Sequence, residues 1–302
     1  MGCVTPVGAG VIAHSRELRM GIGGAESNVA IGLSRLGVPV VWASRLGDDS
    51  VGALVRRELR SEGIGLAVVD DPDGPTGLML KERLNTGHAR VIYYRDGSAA
   101  SRLSPEDVAD CLLDDARLVH VSGITLALSS SAAETVHSVV GRAKHRNIPV
   151  SFDLNYRAGL WHDEASCRES YRSILRNCDV VFAAENEAEL LVGHGEAAEQ
   201  ARRIAALGPH TVVVKYGEAG IGLRDGETYW QDAIPVDVVD TVGAGDAFAA
   251  GYLAALLDGS SLSECLLVGA AAGALVCTSI GDWEGAGTRD DINRLLGRAV
   301  TI

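Results

Sequence analysis

The sequence predicts an α/β fold: a mostly parallel sheet with helices on both faces, carrying a small β lid, as one domain over residues 1–302. Three observations predict it. Strand and helix signals alternate through the C-terminal two-thirds of the chain, which calls for crossover units and a parallel sheet. Two strand-like runs before residue 100 fall outside that alternation and read as a hairpin. Of 302 residues, 47% are apolar, enough to bury one large core.

The lid comes first in the chain. TGLMLKER (76–83) and RVIYYR (90–95) are two strands joined by a polar turn over 84–89. With the N-terminal segment they make a discontinuous lid from about 4–20 and 74–97. The sheet strands follow: RLVHVS (117–122), PVSFDL (149–154), DVVFA (179–183) and TVVVK (211–215). Between them lie helices over 131–146, 166–177 and 197–207; the first carries Ala132, Val136, Val139 and Ala143 on one stripe. Further helices are expected over 248–257 and, buried, over 266–276. Ligands of such sheets bind at the carboxyl ends of the strands. Asp153, Asn155, Glu185, Lys215 and Gly217 are therefore expected near one rim.

Composition excludes several classes. The net charge is −13, from 27 basic and 40 acidic residues, which leaves no electrostatic footprint for nucleic acid. Aromatic residues are 5% of the chain, too few for a base-stacking platform. The six cysteines form no CxxC pair and no metal-ligand cluster with histidine. They read as reduced, mostly buried thiols of a cytoplasmic protein. MGCVTPVGAG has no basic segment followed by a long apolar one, so it is no signal peptide. The stretch 266–276 is too short to span a bilayer.

The chemistry concentrates in DTVGAGDAF, 240–248. Gly243 and Gly245 admit backbone angles other residues resist. A small-residue turn running into a helix leaves forward-pointing amides and the positive end of the helix dipole, an anion hole for phosphate. Asp246 stands at its rim, where a carboxylate can take the proton of an attacking hydroxyl while the amides of Gly243, Ala244 and Gly245 hold the developing charge. A lone GxGD would be an ordinary helix start; nine residues in this order are more specific. In GIGGAESNVAIGLSRLG (21–37), Gly23 and Gly24 allow close approach to a ligand, and Asn28 can bond sugar hydroxyls. No GxxxxGK[ST] is present, so this is not a P-loop kinase.

Together these two stretches resemble the signatures of the ribokinase-like (PfkB-type) carbohydrate kinases, and the resemblance runs over nearly the whole chain. It implies the lid-plus-sheet, three-layer fold and ATP with Mg²⁺, and leaves open a monovalent cation. NEAE (186–189) is similar to the family's NxxE motif, which implies phosphate organisation by Asn186 and a water-mediated Mg²⁺ role for Glu189. KYGEAG (215–220) is similar to the loop lining the nucleotide site, which implicates Lys215, Gly217 and Gly220. The same resemblance places Asp240 and Thr241 on the nucleotide side.

The substrate is read from YYRDGSAASRLSPED (93–107) and DLNYRAGLW (153–161). Arg95 ends a lid strand, and Arg157 lies beyond a sheet strand. Two arginines flanking the cleft suit a carboxylate, which a neutral hexose does not carry. These stretches, with HVSGITLALS (120–129) and GDWEGAGT (281–288), resemble the 2-keto-3-deoxygluconate kinases. That implies substrate contacts from Gly24, Tyr93, Arg95, Ile124, Arg157, Asp246 and Asp282, the last at the hydroxyls of the sugar's far end. Tyr94 alternates to the other face, in a packing or lid role. The chain departs from the subgroup at Met79, where an aromatic hydroxyl is usual, and at Ile280, where an arginine is usual. The resemblance also implies a buried strand before the lid residues; the expectation is that this strand is missing here, through an upstream start codon or a shortened chain, with apolar sheet edges exposed.

The expected activity is ATP-dependent phosphorylation of the terminal hydroxyl of 2-keto-3-deoxygluconate or a close sugar acid. Two alternatives stay open: a fructokinase-like kinase of a neutral sugar, and a non-catalytic sugar-acid binder on the same scaffold. A nucleoside kinase is disfavoured by the few lid aromatics. Open strand edges in the lid invite a homo-oligomer through it. No nucleic acid or membrane partner is expected.

Overall fold

The computed structural model describes residues 1–8, 10–83, 89–216 and 219–300. In chain order its elements are β1 (Gly2–Pro6), β2 (Leu18–Ile22), α1 (Ala25–Arg35), β3 (Val41–Gly47), α2 (Ser50–Ser61), β4 (Gly65–Asp71), β5 (Leu78–Arg83), β6 (Ala89–Tyr94) and β7 (Val119–Ser122). There follow α3 (Gly123–Leu128), α4 (Ser130–His145), β8 (Val150–Asp153), α5 (Glu164–Leu175), β9 (Val180–Ala184), α6 (Glu185–Val192), α7 (Ala197–Ala205) and β10 (Thr211–Tyr216). The last are β11 (Ala219–Arg224), β12 (Glu227–Asp232), α8 (Ala244–Leu257), α9 (Leu262–Cys277) and α10 (Arg289–Leu295).

Six strands form the main sheet in the order β12-β11-β10-β9-β8-β7. The four from β7 to β10 are parallel; β11 and β12 add an antiparallel edge. Parallel strands are covered on both faces, so they need no polar side, and TVVVK in β10 has none until its end. Alternation then divides the side chains between two cores. Val181, Ala183, Val212 and Val214 pack with α4, α5, α6 and α7. Val180, Phe182 and Val213 pack with α1, α8 and α9. The result is three layers.

Side-chain caps fix where several helices start. Asp49 accepts from Gly52 N at 2.7 Å ahead of α2, Ser129 from Ala132 N at 3.1 Å ahead of α4, and Asp163 from Ser166 N at 2.7 Å ahead of α5.

The lid is a four-stranded sheet in the order β2-β1-β5-β6. Met20, Val4, Leu80 and Ile92 make one rung, and Cys3, Met79 and Tyr93 belong to the opposite face with Lys81. Met79 and Lys81 are buried against the body, so this second face looks inward. The outer face shows Leu18, Met20, Ile92 and Tyr94 to solvent. The lid strands thus reach from Gly2 to Ile22 and from Leu78 to Tyr94, and most of the predicted 84–89 turn lies outside the described residues. β3 and β4 pair in parallel as a separate two-stranded sheet packed by α2. Residues 42–45 of β3 and 119–121 of β7 are half-buried.

Among the described residues no helix is long and apolar enough to cross a membrane. The six cysteines are free thiols, with Cys3, Cys167, Cys178 and Cys265 buried.

Candidate active site

The parallel strands end at Ser122, Asp153, Ala184 and Tyr216, and the site is built on that edge. Its centre is Asp246. Helix α8 starts at Ala244, not at Phe248 as the apolar run suggests, so Asp246 lies inside the first turn. The physical cause is Gly243, the residue preceding the helix, in the left-handed region at φ 80°. A Cβ there would stand 1.7 Å from the carbonyl oxygen of Asp282, so only glycine lets the two loops meet. First-turn amides have no partner inside their helix, and they point toward the site. Of the three amides expected to hold charge, Ala244 N donates to Thr241 O at 3.3 Å, closing a turn.

Two asparagines hold the Asp246 carboxyl. Asn28 Nδ2 donates to Oδ2 at 2.7 Å and Asn155 Nδ2 to Oδ1 at 3.4 Å. Asn28 comes from the first turn of α1, Asn155 from the loop after β8. Asn155 sits at φ 39°, a left-handed conformation that asparagine tolerates better than most residues. The Oδ1 atoms of both are buried without a hydrogen-bond partner among the described residues. Buried polar atoms rarely stay unpaired, so two orphan acceptors beside one carboxyl fit a ligand that brings hydroxyl donors.

Burial drives the Asp246 carboxyl up to about 7; the Asn28 bond pulls it down, and the nearby Asp153 charge adds to the rise. A carboxyl poised near neutrality can take a proton from an alcohol at working pH. Lys215 Nζ pairs with Asp153 Oδ2 at 3.1 Å and lies 3.3 Å from where a Cβ on Gly245 would be. Burial pulls Lys215 down, but Asp153 and Glu187 outweigh it and leave the ammonium above its ordinary value. A fixed cation thus stands beside the amides of the glycine turn, an arrangement for phosphate. Glu187 is buried, with both oxygens on backbone amides, of Tyr156 and Ala184, each at 2.7 Å; burial raises its carboxyl. It organises the loop after β8 rather than facing the rim.

The second centre lies under the lid. Arg95 is 8% exposed, and no carboxylate among the described residues pairs with it. Its guanidinium sits 4.1 Å from the centre of the Tyr93 ring. Burial lowers it, and the charge of Arg157 lowers it further while Tyr93 and Glu26 raise it. Arg157 itself is exposed, with one bond to Tyr156 O at 2.9 Å. Ile124 N donates to Ser122 Oγ at 3.2 Å at the start of α3. Glu26, in the first turn of α1, accepts from Ser122 Oγ at 2.6 Å and from Thr125 Oγ1, tying α1 to α3. Gly24 precedes α1 at φ 146°.

Asp240 does not turn its carboxylate outward. Oδ2 accepts from Lys81 Nζ at 3.1 Å and Oδ1 from Val242 N at 3.2 Å; Thr241 beside it is exposed. Asp282 Oδ1 accepts from the same Lys81 Nζ at 3.0 Å. Gly220 lies buried within β11, opposite Lys215, because 219–224 pairs with β10; the expected loop is a hairpin whose Gly217 falls outside the described residues. Asn186 is exposed in the first turn of α6, and Glu189 is half-buried with Oε1 2.8 Å from His194 Nε2.

The structure therefore brings together Asn28, Lys215, Gly243, Gly245 and Asp246, and separately Tyr93, Arg95 and Arg157. It adds three residues with no assigned role in the sequence reading. The sequence puts Asn155 and Asp153 on the rim without a role and gives no position there to Lys81. Lys81 was signalled only by its inward register in an otherwise apolar strand.

The sequence model of the pfkB family carbohydrate kinases matches residues 4–288. A 2-dehydro-3-deoxygluconokinase of Bacillus subtilis is 36% identical over 290 residues, covering 93% of this chain and 88% of the relative. A 2-dehydro-3-deoxygalactonokinase of Haloferax volcanii is also 36% identical, over 94% of this chain and 90% of the relative. A crystal structure of 2-dehydro-3-deoxygluconokinase from Thermotoga maritima superposes with a TM-score of 0.92 at 25% identity, over 98% of this chain and 95% of that one.

Proposed function

The chain belongs to the pfkB family of carbohydrate kinases, and from that premise we propose that it transfers the γ-phosphate of ATP to the terminal hydroxyl of a 2-keto-3-deoxy sugar acid, 2-keto-3-deoxygluconate first among them. The observation that carries the substrate class is Arg95, a buried guanidinium with no carboxylate partner among the described residues. An unpaired buried charge is costly, and a ligand carboxylate removes the cost. A neutral sugar does not. The names of these two relatives agree on the chemical class and differ in epimer.

In the reaction, the sugar lies under the lid with its carboxylate at Arg95 and Arg157. Its hydroxyls meet the free Oδ1 atoms of Asn28 and Asn155. Asp246 takes the proton of the terminal hydroxyl as the oxygen attacks phosphorus. The amides of Gly243 and Gly245, with Lys215, hold the charge on the transferring group. Among the described residues no three His, Cys, Asp or Glu side chains form a metal cage. Mg²⁺ on a nucleotide does not require one, since it takes phosphate oxygens and water with one or two carboxylates. Glu189, whose Oε2 makes no hydrogen bond among the described residues, fits a water-mediated contact. When bound, Mg²⁺ neutralises phosphate charge.

The test is ADP release by the purified chain with Mg-ATP and, in turn, 2-keto-3-deoxygluconate, fructose and ribose. Turnover on the keto-deoxy acid alone is expected. Turnover on fructose instead would overturn the substrate, and ligand binding without turnover would overturn the enzyme.

The thiols suit a reducing compartment, the cytoplasm. The outer lid face supports a homo-oligomer: Leu18, Met20, Ile92 and Tyr94 are exposed together on one sheet face, where isolated apolar residues would pass unremarked. Ile92→Lys should convert the protein to monomer in light scattering after size exclusion. A wild-type monomer at micromolar concentration would exclude the lid interface.

A further inference from the structure

We propose that Lys81 is a positioning residue for the sugar: from lid strand β5 it ties down one oxygen of Asp282, so that the other borders the Gly23–Gly24 turn and receives a substrate hydroxyl. The inference rests on the kinase reading above and adds a residue to it.

Lys81 is 2% exposed. A buried ammonium persists only where it is paired, and Nζ is held by Asp282 Oδ1 at 3.0 Å and Asp240 Oδ2 at 3.1 Å. The partners are 201 and 159 residues away in the chain, so one side chain joins the lid to the loop before α8 and the loop after α9. Asp282 is fixed at its backbone too. Its carbonyl closes over Gly243, and its amide donates to Glu284 Oε2 at 2.9 Å. With Oδ1 on Lys81, Oδ2 lies 2.6 Å from where a Cβ on Gly23 would stand. The free oxygen therefore sits against the turn that opens α1, whose Asn28 already holds Asp246.

Charge makes the triad more than a brace. Two carboxylates share one ammonium, so the group is one negative charge overall. The other titratable groups around Asp282 are Cys3 from β1, Glu284 from its own loop, the Met1 amino group and Asp246. Burial raises the Asp282 carboxyl and Lys81 opposes that rise. Without Lys81 the two carboxylates would face each other in a buried space, and their repulsion would favour protonation of one of them.

The experiment compares two double variants of equal charge balance, K81M/D240N and K81M/D282N. Each keeps one carboxylate and loses the ammonium. Sugar affinity is measured by calorimetry on whichever sugar the wild type phosphorylates, so a different substrate overturns the functional reading without touching this test. K81M/D240N keeps Asp282 and the net charge but loses the tether, and should bind at least about tenfold more weakly than wild type, the loss expected when one hydrogen bond to a charged group is misplaced; K81M/D282N, which loses the carboxylate itself, should bind no better. Single K81M, with two facing carboxylates, should add a pH dependence of sugar affinity that K81M/D240N lacks. Wild-type affinity in K81M/D240N, with melting as cooperative as wild type, would reduce Lys81 to charge compensation and overturn the proposal. So would an unchanged affinity in K81M/D282N.

Discussion

Asp246→Asn should lower kcat by about three orders of magnitude, the middle of the range for a lost general base, while sugar affinity stays nearly unchanged. The substitution keeps the shape: the remaining oxygen still accepts from one asparagine, and the new amide donates to the Oδ1 of the other once that side chain turns, so most of the binding geometry survives and proton removal does not. The wild-type enzyme should show kcat/KM rising with pH and levelling near the Asp246 pKa of about 7. The residual activity of the variant should lack that limb. Near-normal turnover would remove Asp246 from the chemistry.

The same variant makes a stability prediction of definite sign. A carboxyl raised by burial from 3.8 to about 7 binds its proton more tightly in the native than in the unfolded chain. Between those values the native state holds a proton the unfolded state has lost. Native stability therefore falls as pH rises through that window, and above about 7 the ionised carboxylate is a constant cost, of the order of a few kcal/mol at most. Asparagine carries no such cost. The melting temperature of Asp246→Asn should exceed that of wild type at pH 8, with the advantage shrinking toward pH 4. A lower melting temperature at pH 8 would show that the carboxylate supports the fold.

Much of this site is visible in the sequence because its parts are local. The 240–248 string carries its own turn, amides and carboxylate within nine residues. The strand ends place Asp153 and Lys215 on one edge through simple alternation. What escapes is of two kinds. The start of α8 is displaced because one left-handed glycine, not an apolar residue, ends the preceding turn, and periodicity is blind to that. The partners of Lys81, Asn28 and Asn155 lie across 91 to 218 residues of chain, and no spacing rule reaches so far. Asn28 is instructive: its residue type suggests a sugar contact, yet one end of its amide is spent on Asp246. Its orphan oxygen is left as an acceptor for the sugar.

Arg95→Met should weaken binding of the sugar acid by about 100-fold, as expected for removing one partner of a desolvated charge pair. Methionine keeps much of the apolar stem against Tyr93 and deletes the fork that meets a carboxylate. Binding of the corresponding carboxamide, which has no charge to lose, should change by no more than a few-fold. Equal losses on both ligands would refute the carboxylate role. The free protein supplies an independent readout. In wild type the guanidinium is buried without a carboxylate among the described residues, offset by the Tyr93 ring 4.1 Å away. Burial pulls its pKa down, which means that the charged form costs the native state. Arg95→Met should therefore leave the ligand-free melting temperature unchanged or raised, while abolishing the rise that sugar acid gives the wild type by mass action. A variant that melts lower without ligand would make Arg95 a structural residue. One that is stable yet no longer stabilised by the acid would place the substrate carboxylate at this guanidinium.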